Sequence, residues 1–136
     1  MTTVILAHGV FDLLHLGHIE YLERARKLGD KLIVSVTSDR YVSKPDRPIF
    51  TTQERMNMLA ALRCVDGVRQ SDSQTAVSAI ETVRPNLYVK GIDYQNKDDD
   101  NLQAEREAVE AHGGQLIFLA TPKFSSTDVI ARIRGK

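Results

Sequence analysis

The chain has one cysteine among its 136 residues. Cys64 therefore has no partner for an intrachain disulfide, and no cysteine zinc cluster can be built from it. That usage suits a reducing, cytoplasmic compartment, with Cys64 expected as a small buried hydrophobe. An excess of charge of either sign is also missing. Lys plus Arg number 18 and Asp plus Glu number 18, so the net charge is zero with histidine neutral. Nothing here supports a broad basic surface for nucleic acid or an acidic membrane, and any anion site must be local. No apolar run approaches the roughly 18 residues of a membrane span, and no signal-peptide pattern precedes the first strand-like run. Repeats and low-complexity linkers are absent too. What is present is 42% apolar residues, enough for one domain over residues 1–136 with a real core.

Apolar runs at Thr3–Ala7, Lys31–Val36, Val65–Val68, Leu87–Val89 and Leu116–Leu119 alternate with helical patterns. That alternation predicts an α/β fold, a single Rossmann-like domain whose five-stranded parallel sheet carries helices on both faces. Thr51-Thr52-Gln53-Glu54 fits a capping box opening a helix through Met56, Leu59, Ala60 and Leu62. Asn101 to His112 reads as another helix, stopped by Gly113-Gly114. In such sheets ligands lie outside the carboxyl ends of the strands, where the strand order switches.

The decapeptide Gly9 to His18, GVFDLLHLGH, follows the first strand directly. Ile19, Leu22, Ala25 and Leu28 then recur at helical spacing, so His15 and His18 fall in the first turn of a helix. Unpaired backbone N–H groups and the positive dipole end attract anions there, and Gly9 and Gly17 allow close approach of the backbone to a ligand. Two more groups could hold anions. The loop from Ser38 to Phe50 is stiff and basic, with Lys44, Pro45, Arg47 and Pro48, and Ser125-Ser126-Thr127 opens a short amphipathic helix over Val129 to Ile133. Asp98-Asp99-Asp100 lacks the ligand spacing of an EF-hand and reads as a solvated helix start. His8 and His112 are given no catalytic role.

Gly9, Phe11, Asp12, His15, Gly17 and His18 resemble the GxFDxxHxGH hallmark of the cytidylyltransferase-like nucleotidyltransferases, and the likeness extends over nearly the whole chain. Both the glycerol-3-phosphate cytidylyltransferases and the adenylyltransferase domain that activates heptose 1-phosphate are similar to it. The resemblance implies transfer of CMP or AMP from CTP or ATP to the phosphate of a sugar or polyol, with release of pyrophosphate and with Mg²⁺ held by the triphosphate rather than by protein ligands. It implies that Gly9, Val10, Phe11, His15, Gly17, His18, Arg55, Asp93, Ser125, Ser126 and Thr127 bind the nucleotide. His15, His18 and Lys44 would be catalytic, with Lys44 and Arg47 holding the acceptor. For Arg55 a phosphate contact and a surface salt bridge both stand open.

Arg63 to Val68 resembles a cytidylyltransferase segment near a dimer interface, which favours CTP and a homodimer. Against this, Val89-Lys90-Gly91-Ile92-Asp93-Tyr94 resembles the heptose enzymes, Ala120 stands where the glycerol-phosphate enzymes have an arginine, and Ser71–Val83 contains no lysine. A phosphorylated sugar or sugar-like polyol destined for a surface polysaccharide is therefore the preferred acceptor. A non-catalytic nucleotide-binding module would not need both histidines, and an aminoacyl-tRNA synthetase fragment would need more length. The chain ends soon after its last helix, which fits either a small complete enzyme or a domain of a longer protein.

Overall fold

A computed structural model describes residues 2–43, 45–91, 100–120 and 126–135, with 126–129 as backbone only. The strands are β1 (Val4–Gly9), β2 (Lys31–Thr37), β3 (Gly67–Ser71), β4 (Leu87–Gly91) and β5 (Gln115–Leu119). The helices are α1 (Leu16–Arg26), α2 (Thr52–Ala60), α3 (Val77–Val83), α4 (Asp100–Glu110) and α5 (Ser126–Arg134), and a 3-10 turn spans Asp39–Tyr41. All strand pairs are parallel, in the order β3-β2-β1-β4-β5. This is the expected α/β sheet, and its order reverses between β1 and β4.

Alternation along β1 separates the two faces. Ile5 and Ala7 pack with Leu22 and Ala25 of α1 and Leu59 of α2, while Leu6 and Tyr88 pack with Ala79 and Ile80 of α3 and Val109 of α4. Helices cover both faces, which is why Ile5, Leu6 and Ala7 are consecutive and all fully buried. Truncating any such leucine or isoleucine to alanine costs about 2–5 kcal/mol.

Most boundaries follow from the sequence. The α2 capping box forms as expected: Glu54 N donates to Thr51 Oγ1 at 3.2 Å, and Thr51 N donates to Glu54 Oε1 at 3.0 Å. Gly113 ends the region of α4 at φ +90°, and the backbone of Gly114 packs so close to the Pro85 carbonyl that a Cβ would lie 2.6 Å from it. β3 begins two residues later than its apolar run. Val65 is drawn into the core, and Asp66 is held in a turn by Leu32 N (2.8 Å) and Arg26 Nε (3.0 Å), so pairing starts at Gly67. Cys64 is only half-buried, which corrects its expected full burial. Burial, followed by nearby Glu23, still pushes its thiol up from the ordinary value. No helix among the described residues is long and apolar enough to cross a membrane.

Candidate active site

The turn after β1 delivers two imidazoles to the start of α1 in a specific arrangement. His15 is the N-cap, in an extended conformation at φ −139°, ψ 176°. Its Nδ1 accepts Gly17 N at 3.1 Å, while His15 N donates to His18 Nδ1 at 3.3 Å. The two histidines thus replace the usual hydroxyl and carboxylate of a capping box. Each Nδ1 is an acceptor, so in the neutral form of each ring the proton sits on Nε2. The rings stack with centroids 3.9 Å apart and an interplanar angle of 18°. Two unit charges at about 4 Å repel by about 4 kcal/mol at an effective dielectric of about 20, so the two stacked rings disfavour carrying a charge at the same time. Desolvation also holds the His15 imidazole below its ordinary pKa.

Phe11 supports the pair. Its ring lies edge-on to His18 at 5.3 Å, and a Cβ on Gly9 would stand 3.0 Å from it. Gly9 is thus required here for the packing of Phe11, whose own φ is +54°. Gly17 is buried at the second position of α1.

The basic loop is tied beneath this turn. Asp12, 1% exposed, accepts Ile49 N at 2.6 Å, Phe50 N at 3.1 Å and Arg47 Nε at 3.2 Å. Arg47 Nη2 donates to the Asp12 carbonyl as well. Arg47 was expected to hold the acceptor. Its side chain is only 6% exposed and forms a buried ion pair with Asp12.

Arg55 corrects the sequence reading more sharply. It is fully buried. Nε donates to Phe50 O (3.0 Å), Nη1 to Thr37 O (2.7 Å) and Val10 O (2.9 Å), and Nη2 to Asp39 Oδ1 (2.7 Å) and Thr52 Oγ1 (3.3 Å). All five guanidinium donors are thus taken by the protein, leaving none for a phosphate. Neither a nucleotide contact nor a surface salt bridge describes it. Val10 enters the arrangement through its carbonyl.

A second polar group lies at the same end of the sheet, on the α3–α4 face. His8 Nδ1 meets Ser35 Oγ at 2.6 Å, and Thr37 Oγ1 lies 3.4 Å from Nε2. Desolvation, opposed by Glu105 and reinforced by Lys90, lowers the His8 pKa to about 4. Glu105, 3% exposed, accepts Ala76 N (2.9 Å), Tyr88 Oη (3.0 Å) and Lys90 Nζ (2.9 Å). The buried Ser71 hydroxyl beside Thr37 has no partner among the described residues. Sequence reasoning missed Glu105, although it stands on the same stripe of α4 as buried Leu102 and Val109, where a charge signals a polar partner across the core.

Lys44, Asp93 and Ser125 lie outside the described residues, as do the side chains of Ser126 and Thr127. The backbone of Ser126 opens α5. Ala120, at the end of β5, is linked to α1 because its carbonyl accepts Arg24 Nη1 at 2.7 Å. Among the described residues no group of three acidic, histidine or cysteine side chains could hold a metal ion.

Fold and site together define a nucleotidyltransferase domain, with a paired-histidine turn at the switch point of a parallel sheet. The chain belongs to the cytidylyltransferase-like family, whose model matches residues 6–132. It is 42% identical over 136 residues to the bifunctional protein HldE of Syntrophotalea carbinolica, covering 96% of this chain and 27% of that protein. With HldE of Geobacter sulfurreducens the identity is 40% over 134 residues, covering 96% and 26% respectively. The chain thus spans about a quarter of the length of these relatives. Among solved structures, a lipopolysaccharide core biosynthesis protein from Thermoplasma volcanium superposes with a TM-score of 0.74 at 28% identity, covering 90% of this chain and all of that one. A pantoate-beta-alanine ligase from Francisella tularensis, at 16% identity and a TM-score of 0.65, covers 95% of this chain and 65% of that one and shares the fold.

Proposed function

We propose that this domain transfers a nucleotidyl group, AMP from ATP in the first instance, to the phosphate of a heptose-type sugar, as a step towards lipopolysaccharide or a similar surface polysaccharide. The observation that carries the reaction type is the reciprocal His15–His18 cap, which orients two imidazoles at a helix N-terminus so that each, in its neutral form, bears its proton on Nε2. An acceptor phosphate oxygen attacks the α-phosphorus in line. A new P–O bond forms as the bond to the β-phosphate oxygen breaks, and pyrophosphate leaves. Charge gathers on the α-phosphate oxygens in that transition state, and preorganised donors stabilise it without reorganising. Lys44 is assigned to the attacking phosphate, and Ser125, Ser126 and Thr127 to the triphosphate. Asp93 is assigned to the exocyclic amine of the base.

Mg²⁺ enters as the metal–nucleotide complex. Asp12 does not fit as a ligand, because its carboxylate already accepts three donors. The triphosphate oxygens and water are the remaining ligands, as Mg²⁺ prefers. The sugar acceptor rests on identities of 40–42% to the HldE proteins across most of this chain. The Arg63–Val68 segment favours CTP and a homodimer, with Arg63 exposed beside the edge strand β3. A screen of ATP and CTP against heptose, other sugar and polyol phosphates, read as pyrophosphate release, tests the reaction and separates the two nucleotides. No release with any pair refutes the transferase reading, and size-exclusion chromatography with light scattering tests the dimer.

A further inference from the structure

Two buried charged groups meet at one residue of the basic loop. Phe50 has its carbonyl held by Arg55 Nε and its N–H held by the Asp12 carboxylate. Asp12 belongs to the turn that carries the histidines, and Arg55 also reaches that turn through the Val10 carbonyl. The same guanidinium grips Asp39 and Thr52, one at each end of the loop, and Asp39 N donates to Thr52 Oγ1 at 3.0 Å and closes a ring of bonds. The segment 39–52 is therefore anchored at both ends to the turn at 10–12 and to the carboxyl end of β2.

A fully buried arginine is expensive to desolvate, and its mutual attraction with its partners repays that cost only in part. Folding stability alone is thus a weak reason for it. What only a planar five-donor fork can do here is fix the carbonyls of Val10, Thr37 and Phe50 and the side chains of Asp39 and Thr52 relative to one another. We propose that Arg55 is a positioning residue, which locks the 39–52 loop onto the histidine turn and so sets where that loop meets the acceptor phosphate. It touches no substrate. This inference rests on the transferase reading for its effect on catalysis, but the lock itself is a property of the unliganded chain.

The His15–His18 cap is closed by reciprocal bonds in which Arg55 takes no part. Loosening the loop should therefore damage handling of the acceptor more than binding of the nucleotide. Arg55→Lys keeps the charge but replaces the fork by a single point of donation. The expected result is a loss of about 10- to 100-fold in kcat/KM for the acceptor, the scale of a misplacement of about 1 Å. The nucleotide Kd, from calorimetry, should stay within about threefold. Hydrogen exchange at the Ile49 and Phe50 amides should speed up by at least about tenfold, since local opening replaces a locked loop.

Asp39→Ala removes one exposed acceptor of the fork and should show the same pattern more weakly, which keeps the test open if the lysine variant fails to fold. Ile80→Ala, a truncation in the core on the opposite sheet face, is the control for general destabilisation and should leave both the two amides and the acceptor KM unchanged. Unchanged protection of Ile49 and Phe50 in both arginine-lock variants overturns the proposal. So does faster exchange with unchanged acceptor kinetics, or a loss confined to nucleotide affinity. If the wild-type domain releases no pyrophosphate with any nucleotide and acceptor, the function reading fails separately, and the exchange data still decide whether Arg55 locks the loop.

Discussion

His15 has two duties in this structure, and a pair of substitutions separates them. As N-cap it accepts the Gly17 N–H through Nδ1. As proposed catalyst it donates from Nε2 to the reacting phosphate. His15→Ala removes both. Loss of the cap should destabilise the domain by about 1 kcal/mol, the usual cost of replacing a good N-cap by alanine. Loss of the donor should raise the barrier by about 2.7–4 kcal/mol, which lowers kcat by about 100- to 1,000-fold. His15→Asn restores a side-chain oxygen that can cap α1 but places no donor at the former Nε2. It should recover most of the stability and little of the turnover. Urea denaturation gives the first quantity, and pyrophosphate release at saturating nucleotide and acceptor gives the second. Turnover of His15→Ala within tenfold of wild type would falsify the catalytic assignment. Recovery of kcat together with stability in His15→Asn would show that the histidine matters only as a cap.

Four further outcomes are expected. Asp12→Ala leaves the buried Arg47 charge and the Ile49 and Phe50 amides without their acceptor, and should cost about 3–5 kcal/mol of unfolding free energy in urea. His8, lowered from 6.5 to about 4 in the fold, binds a proton more readily unfolded than folded. Stability is therefore full above about pH 6.5 and falls as the pH drops towards 4, by at most about 3 kcal/mol; His8→Asn should flatten that slope in urea titrations at each pH, and an unchanged slope refutes the assignment. Chelation by EDTA should abolish pyrophosphate release and added Mg²⁺ should restore it, whereas full turnover after exhaustive chelation rules out a metal-bound triphosphate. Lys44→Ala should raise the acceptor KM or lower kcat with nucleotide Kd within a few-fold, while Thr127→Ala should weaken nucleotide binding by about 1–2 kcal/mol by calorimetry, the scale of a hydrogen bond to a charged group; the opposite pattern reverses the placement of the two phosphate ends.

The strands and the starts of α1 and α2 were legible because each rests on a local signal, whereas the last helix, expected over Val129 to Ile133, already begins at Ser126. Fully buried Ile5, Leu6 and Ala7 form an unbroken apolar run, which is how a parallel strand covered on both faces must read. Thr51 and Glu54, like His15 and His18, are three residues apart, so their reciprocal bonds need no tertiary knowledge. The short helix α3 leaves no such signal, because Val77–Val83 has no side-chain cap and too few turns to show a period. Arg55 could not be assigned from its neighbours in sequence. Its acceptors Val10 and Thr37 are 45 and 18 residues away and are backbone carbonyls, which carry no residue-type signature. A clue was available all the same: Arg55 stands four residues before buried Leu59 on α2, so a helical stripe points it inward. A charge on such a stripe asks where its donors go before it is offered to a ligand.

That question changes how the motif itself is read. Of its charged and polar members, only the histidines carry chemistry outward in the proposed reaction. Asp12 turns inward, and it cannot be exchanged for a residue that merely fits the turn, because three donors from a loop 35 to 38 residues downstream converge on it. The spacing within the decapeptide thus serves two separate structures: a local one, in which His15 and His18 cap the helix and fix their own tautomers, and a long-range one, in which Asp12 and the Val10 carbonyl receive the basic loop. The first can form from the decapeptide's own bonds. The second forms only when β2 and α2 are in place, since Arg55 spans Thr37 at the end of β2 and Thr52 at the start of α2. Assembly of the site is therefore coupled to completion of the sheet, and a chain with every motif residue present but α2 displaced would keep its paired histidines and lose the loop that faces them.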